Sequence, residues 1–295
     1  MNVAVLSRNP SLYSTQSIVL ALRKRHHRVR VLDHMQCDLI VDSKNMEVRY
    51  DGYRLHDIDA IIPRIGASAT KYGAAVIRQF EAMGIPTTVP SEALMKSRDK
   101  LRCLQLLAGA GIEVPISAFT NNLSVLNSLL NRVGSMPVIL KLLVSTQGMG
   151  VLKADDKQQA NSMMEAFQRL QQDALVQEFI EEVQGADIRI FIVDGEIVAS
   201  MERQAMPGEF RSNLHLGASS TPIKITQEEA DYALRAIDLI GLKVAGIDIL
   251  RSKRGPLVLE VNASPGLEGI ETTTGIDIAS RIVASVERTI DEKSD

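Results

Sequence analysis

Two apolar runs near the carboxyl end constrain the fold more than any other stretch: Gly246-Ile247-Asp248-Ile249-Leu250, and Leu257-Val258-Leu259-Glu260-Val261-Asn262-Ala263-Ser264-Pro265-Gly266. Both are rich in β-branched residues, and a basic turn ending on Gly255 separates them, so they read as paired strands. Side chains alternate along a strand, which puts Glu260 and Asn262 on one face, while Asp248 interrupts the neighbouring strand. Strand interiors this apolar rarely carry two acids without a partner. Two carboxylates and an amide oxygen are hard ligands, suited to Mg²⁺ or Mn²⁺ that also holds phosphates. The plain alternative is an edge hairpin whose acids face water.

A chain of 295 residues, 45% hydrophobic and 23% charged, has the material for two or three compact units with real cores. Cys37 and Cys103 are its only cysteines, which gives no disulfide framework and fits a reducing compartment. The first residues carry neither a basic run nor a long apolar segment, so the expectation is a cytoplasmic protein with no membrane partner. A formal charge of −3 argues against general nucleic-acid binding.

In chain order, Val3 to Leu6 reads as a strand, Tyr13 to Arg25 as a helix and Val29 to Leu32 as a second strand. A hairpin turn at Asp51-Gly52, the run Ala60-Ile61-Ile62, a helix near Ala69 to Met83 and a strand at Thr87-Thr88-Val89 continue the pattern. This is a small α/β domain with a mainly parallel sheet. Ligands of such sheets gather at the carboxyl ends of strands. Arg8 and Arg64 stand just past two such ends, where they can face an anionic acceptor or simply cap loops. Ser91 starts a helix ended by Gly109 to Gly111, with Arg98 and Arg102 on one face and Lys96 and Lys100 on another.

Further on, Pro137 to Leu143 is an apolar strand containing Lys141, which needs an anion or an exit to solvent. The loop after it ends in Gly148-Met149-Gly150, whose glycines permit a tight turn with amides free for phosphate. An amphipathic helix, roughly 156–170, leads to the strand Leu175 to Ile180. Without other information, Phe179 reads as core. Strands follow at Ile188 to Val193 and Glu196 to Arg203. In the next loop Arg211, Ser212, Asn213 and His215 bring together donors suited to a triphosphate. Thr226-Gln227-Glu228-Glu229 is a capping box. A Gly- and Thr-rich loop over 267–275, with Glu268 and Glu271 solvated, precedes a last helix near 276–290.

Asp99-Lys100, Lys141 before Thr146-Gln147-Gly148-Met149-Gly150, Gln177-Glu178-Phe179, Asp187-Ile188-Arg189, Arg203, Arg211 to His215 and the Asp248, Glu260, Asn262 set occur in the order of the ATP-grasp ligases. The chain resembles the RimK-type ligases of that family, which add glutamate to the C-terminus of ribosomal protein S6. The likeness covers essentially the whole chain, including Pro63-Arg64-Ile65-Gly66 and Gly269-Ile270-Glu271. It implies an ATP-grasp fold, α/β with α+β character in its C-terminal part, behind a Rossmann-like pre-ATP-grasp domain. The expected parts are 1–95, a central lid over 96–180, and 181–295 with the metal site.

The resemblance also implies roles. Lys100 and Lys141 take nucleotide phosphates, and the loop with Gln147, Gly148 and Gly150 closes over them. Glu178 and Phe179 hold adenine, Asp187 the ribose, and Arg211, Ser212 and Asn213 the triphosphate. Two metal ions sit on Asp248, Glu260 and Asn262, and Arg203 steadies the transferring group. The partners expected are ATP, L-glutamate, an acidic protein C-terminus and further copies of the chain, as in a tetramer. Two departures stand out: Val144-Ser145 replaces a usual Glu-Gly, which bears on the lid, and Leu216-Gly217-Ala218 replaces Arg-Gly-Gly, which bears on acceptor preference. Three other readings are a small-molecule ligase, an ATP-binding regulator without turnover, and a dinucleotide oxidoreductase. The last is disfavoured because Ser7-Arg8-Asn9-Pro10 offers no G-x-G-x-x-G.

Overall fold

The computed structural model describes residues 1–143 and 150–294. It begins with β1 (Asn2–Leu6), α1 (Tyr13–Lys24), β2 (Arg28–Leu32), β3 (Cys37–Ile40), β4 (Glu47–Tyr50), β5 (Tyr53–Arg54), β6 (Ala60–Pro63) and α2 (Thr70–Ala82). A parallel sheet of order β2-β1-β6 forms, in which the apolar runs of β1 and β6 are buried on both faces while β2 alternates exposed arginines with valines. β3, β4 and β5 make a separate antiparallel meander whose last turn is Asp51-Gly52, at φ of 51° and 77°. Thr87 to Val89 adds no full strand: Thr87 makes one parallel bridge to Ile61. Pro86 and Pro90 flank the segment and supply no N–H for a ladder.

The helix expected from Ser91 to Gly109 is two helices, α3 (Ser91–Arg98) and α4 (Lys100–Gly109). Asp99 breaks it: its backbone is extended (φ −85°, ψ 98°), and its carboxylate accepts from the Arg102 N–H at 2.9 Å as the N-cap of α4. The pairing of 98 with 102 and of 96 with 100 on continuous helix faces is therefore overturned. Arg98 turns inward, Arg102 is exposed, and Lys100 opens α4.

β7 (Ser117–Phe119), α5 (Leu126–Val133), β8 (Val138–Leu142), β9 (Val151–Ala154), α6 (Lys157–Arg169) and β10 (Ala174–Glu178) form the middle layer, an antiparallel sheet of order β7-β10-β8-β9. Leu126, Leu130, Val138, Leu140, Met164 and Val176 give it a core of its own. β7 and α5 had no sequence expectation, although Leu126, Leu130 and Val133 of α5 recur at helical spacing.

β11 (Ala186–Val193), β12 (Glu196–Gln204), β13 (Ser219–Pro222), α7 (Gln227–Ile240), β14 (Val244–Ser252), β15 (Gly255–Asn262), α8 (Glu268–Thr274) and α9 (Ile278–Ser294) complete the fold. The sheet order is β13-β12-β11-β14-β15, antiparallel throughout. Alternation decides its two faces. Ile188, Ile190 and Ile192 join one core with α7 and the N-terminal domain, while Phe191 and Val193 join another with α8, α9 and α1. The capping box of α7 is present: Thr226 Oγ1 accepts from the Glu229 N–H at 3.2 Å, and Glu229 Oε2 from the Thr226 N–H at 2.7 Å.

The expected loop over 267–275 is a helix, α8, and Glu271 is not solvated. Only 9% exposed, Glu271 accepts from the Ala279 N–H at 2.9 Å and from Ser17 Oγ at 3.2 Å. It thus caps the following helix and ties it to α1. Thr273 and Thr274 satisfy their hydroxyls on carbonyls one turn back, which lets polar residues sit inside a helix.

Candidate active site

A cleft lies between the middle sheet and the five-stranded sheet. Lys141 enters it from β8, Lys100 from the first turn of α4, and Glu178 and Phe179 from the end of β10. Asp187, Arg203, Asp248 and Glu260 enter from β11, β12, β14 and β15, and Arg211, Ser212 and Asn213 from the loop after β12. Eleven of the residues singled out in the sequence therefore share one cavity.

Four side chains make a buried ionic network across adjacent strands. Arg203 is 5% exposed and grips Asp187 with two bonds, Nε to Oδ1 at 2.7 Å and Nη2 to Oδ2 at 2.5 Å. Its Nη2 also lies 3.2 Å from Asp248 Oδ2. Arg189 meets the same Asp248 in a bidentate pair, with Nη2 to Oδ2 at 2.8 Å. Burial opposes ionisation of Asp248, yet the two guanidiniums outweigh it and hold its carboxyl below the usual range. Burial likewise opposes the charge on Arg203, and Asp248 and Asp187 overcome it to bind the proton more firmly. Asp187, expected on a ribose, has both carboxylate oxygens on Arg203 here. Arg189 was legible: it is the cross-strand partner of Asp248 and two residues from Asp187, so all three share a face.

A bulge between Asp248 and Ile249 resets the register, so that Asp248 pairs with Glu260 and Gly246 with Asn262. Asn262 Nδ2 donates to Asp248 Oδ2 at 3.3 Å, leaving its carbonyl oxygen as the acceptor of the pair. Among the described residues no cluster of three or more His, Cys, Asp or Glu forms, so the donor set is two acids and this amide. Such hard oxygens fit Mg²⁺. Only glycine suits position 246, where a Cβ would come within 2.8 Å of Pro265 Cβ and 3.1 Å of Arg189 Cδ.

The opposite wall is cationic. Burial pushes the Lys141 ammonium down to about 8, with Glu260 opposing and Lys100 adding to the shift. Lys100 is lowered as well, by burial against the pull of Glu260, and its Nζ reaches the Leu143 carbonyl at 3.5 Å. Charges held this far from water are matched by an anion that enters the cleft. Arg211 lines the cleft paired with Glu209, whose carboxyl its bonds hold down to about 2. Glu209 was not singled out from the sequence.

Glu178 serves a second purpose. Its Oε1 accepts from the Ile116 N–H at 2.6 Å, and both its oxygens meet Arg254 on the β14–β15 turn. Together with the Lys253 N–H on Glu182 at 2.9 Å, this latches the middle layer to the β14–β15 hairpin. Phe179 is half-buried rather than core, edge-on to Phe210 at 6.4 Å with Lys153 Nζ 5.7 Å from its ring centre. Arg64 is half-buried beneath the hairpin's exit, where its Nη2 donates to the Pro265 carbonyl at 2.6 Å. Arg8 is exposed, bonded to Ser68 Oγ at 2.9 Å, outside the lining of the cleft. Gly150 turns at φ 71°, and its carbonyl accepts from the Leu142 N–H at 2.9 Å, closing the base of the β8–β9 connection. Gln147, Gly148 and the Val144-Ser145 departure lie outside the described residues.

Residues 97–286 match the family described as the RimK-like ATP-grasp domain, and residues 1–94 match the RimK PreATP-grasp domain. The chain belongs to the RimK ATP-grasp family. The resemblance carried by the motifs is thereby borne out, as are the ATP-grasp fold and its pre-ATP-grasp domain, and the protein is an ATP-grasp ligase. A probable alpha-L-glutamate ligase of Trichodesmium erythraeum (strain IMS101) is 51% identical over 290 residues, covering 98% of this chain and 97% of that one. Another, of Ectopseudomonas mendocina (strain ymp), is 52% identical over 288 residues, covering 98% and 96%. Among solved structures, the ATP-grasp ligase PsnB complexed with a minimal precursor superposes with a TM-score of 0.76 at 23% identity, covering 97% of this RimK-family chain and 98% of PsnB. D-alanine--D-alanine ligase from Bacillus anthracis, complexed with ATP, does so at 0.70 and 19%, each chain covered to 99%. Both share the fold. Among the described residues no helix is long and apolar enough to cross a membrane.

Proposed function

We propose that this protein joins L-glutamate to the carboxyl terminus of an acidic acceptor at the expense of ATP. One observation carries the reading: two sheltered lysines on one wall of the cleft face a carboxylate and guanidinium network on the other. The names of the curated relatives support the choice of glutamate. Ribosomal protein S6 is the proposed acceptor, on the RimK resemblance. The proposed setting is the cytoplasm, with the chain as a homo-oligomer.

A carboxylate cannot lose oxide to an amine at neutral pH, so it must first be activated. An acceptor carboxylate oxygen attacks the γ-phosphorus of ATP, forming an acyl phosphate as ADP leaves. The α-amine of glutamate then attacks the acyl carbon, and phosphate departs. Lys100 and Lys141 match the charge of the phosphates and Arg211 approaches from the loop after β12, while Arg203 is held rigid by two acids beside the transferring group. Glu178 and Phe179 line the adenine end, with Asp187 toward the ribose. Asp248, Glu260 and Asn262 would hold Mg²⁺ or Mn²⁺, as two ions, which when bound neutralise charge on the phosphate oxygens.

The test is the intact mass of ribosomal protein S6 after incubation with the protein, ATP, Mg²⁺ and L-glutamate, with ADP release followed in parallel without S6. A ladder of added glutamyl residues is expected. ADP release on glutamate alone, with the mass of S6 unchanged, would replace this reading with ligation of small molecules.

A further inference from the structure

The first 32 residues hold six Lys and Arg and no Asp or Glu, which leaves 27 Lys and Arg against 36 acids for the rest of the chain. The net charge of −3 therefore conceals a positive end. Five of those six cations fall within eight positions: Arg23 and Lys24 in the last turn of α1, Arg25 just after it, and Arg28 and Arg30 on β2. All five are exposed.

The fold brings them to one edge. β2 ends the parallel sheet of order β2-β1-β6, so no strand covers its outer side. α1 packs over one face of that sheet, and Val29 and Val31 turn toward it. Arg28 and Arg30 occupy the alternate positions of the strand and leave by the other face, about 6.6 Å apart along the chain. The cations thus flank a free edge from both sides, as a basic ridge.

Many exposed arginines of this protein are matched to acids: Arg49, Arg78, Arg235, Arg251, Arg254 and Arg288 each meet a carboxylate. On the ridge only Arg25 does so, through Glu287. Among the described residues Arg23, Lys24, Arg28 and Arg30 make no ion pair and no side-chain hydrogen bond. Two ordinary uses of charge apply here. A cation in the last turn of a helix complements its dipole, and a charge on an edge strand blocks pairing with another chain. Either sign would serve the second use, and neither use calls for the absence of acids from all 32 residues.

A ridge with like charges on both sides fits a partner whose opposite charges run in two rows, as phosphates do along the groove of an RNA duplex. Arginine outnumbers lysine here, and its fork matches phosphate oxygens. A lipid surface calls for apolar side chains among the cations, and positions 23 to 30 expose no large one. None of the four lines the nucleotide cleft, so a partner held here leaves it free for ATP.

We propose that Arg23, Lys24, Arg28 and Arg30 form a docking surface for the phosphate backbone of structured RNA, engaged by charge and shape and not by base sequence. It stands apart from glutamate ligation and adds to it, because an acceptor that sits on RNA is then met by enzyme already concentrated there.

Anisotropy of a fluorescent RNA duplex of about 16 base pairs tests this without turnover. The full chain is titrated in, with Mg²⁺ and a non-hydrolysable ATP analogue filling the cleft so that its lysines do not compete. Saturable binding is expected at about 50 mM KCl, weakening roughly tenfold or more by about 150 mM. Arg28→Gln combined with Arg30→Gln is expected to weaken it at least about fivefold and to lower the salt slope by about two. The melting temperature of that variant, and its rise with ATP, stay as in wild type. Arg28→Lys combined with Arg30→Lys keeps the slope, since a phosphate is met by charge. Vesicles of equal phosphatidylcholine and phosphatidylserine bind more weakly than the duplex. Unchanged affinity in the double Gln variant, binding insensitive to salt, no binding even at the lower salt, or association with the vesicles in place of RNA overturns the proposal.

Discussion

Lys141 shows how a side chain lining the cleft is held against the interest of stability. Its pKa is near 8 in the folded chain against the ordinary 10.5, so between those values the unfolded chain carries a proton there that the folded chain lacks. Stability of the nucleotide-free protein therefore rises with pH across that window, and below about 8 the penalty is fully in force. Lys141→Met is expected to stabilise the nucleotide-free protein at neutral pH by on the order of 1–3 kcal/mol. The gap to wild type should narrow as pH rises from 8 and close near 10.5. Denaturant melts of both proteins across pH check this, and a constant gap would contradict it. The same substitution should remove most of the rise in melting temperature that ATP confers on wild type. Asn262→Ala tests the opposite wall: it deletes one amide that bonds Asp248, and is expected to abolish ADP formation while circular dichroism and the melting curve stay close to wild type. Retained turnover would remove Asn262 from the metal set.

At the scale of elements, α8 is where sequence and structure part. A Gly- and Thr-rich stretch has poor helix propensity, and what makes it helical is tertiary: Glu271 caps α9, Ile270 is buried, and Gly269 admits a neighbour. None of these is visible along the chain. A Cβ on Gly269 would lie 2.2 Å from Leu214 Cδ1, on the turn immediately after Ser212 and Asn213. Gly269→Ala therefore has to displace the Leu214 side chain, which follows the residues that line the cleft. Overpacking of this kind costs roughly 1–3 kcal/mol, and the expected signature is a raised KM for ATP beyond what the lost stability explains. An unchanged KM would show that the loop absorbs the methyl group freely. The break between α3 and α4 was hidden for a related reason. Asp99 suits an N-cap better than a helix interior, but apolar residues run on past it, and its bond to the Arg102 N–H, with Arg98 drawn inward to Ile65, is what places the break there. The paired strands β14 and β15 were plain because β-branched runs and a single acid in each are local signals.

For the whole molecule, the continuous apolar run of β1 has an outcome that no local reading contains. Val3 and Val5 pack with Ile278, Ile282 and Val286 of α9, while Ala4 and Leu6 share a core with Ile190 and Ile247 of the five-stranded sheet. The first domain thus completes its two faces with residues of the C-terminal part of the chain. The middle layer, by contrast, closes over its own core. Sequence pattern assigns each strand an apolar face but not the partner that covers it, which is why the fold class could be read and this sharing could not. A fragment of residues 1–94 should therefore expose both faces of its parallel sheet and fail to melt cooperatively, whereas the full chain holds that sheet rigid against the metal hairpin. Because the protein contains no Trp, near-ultraviolet dichroism from tyrosine and dispersion of amide resonances are the suitable probes. A sharp thermal transition with dispersed amide resonances from the fragment alone would show that its own core suffices. Arg64 would then sit on an independent body able to swing relative to Pro265, rather than on a wall fixed against the hairpin by two continuous cores.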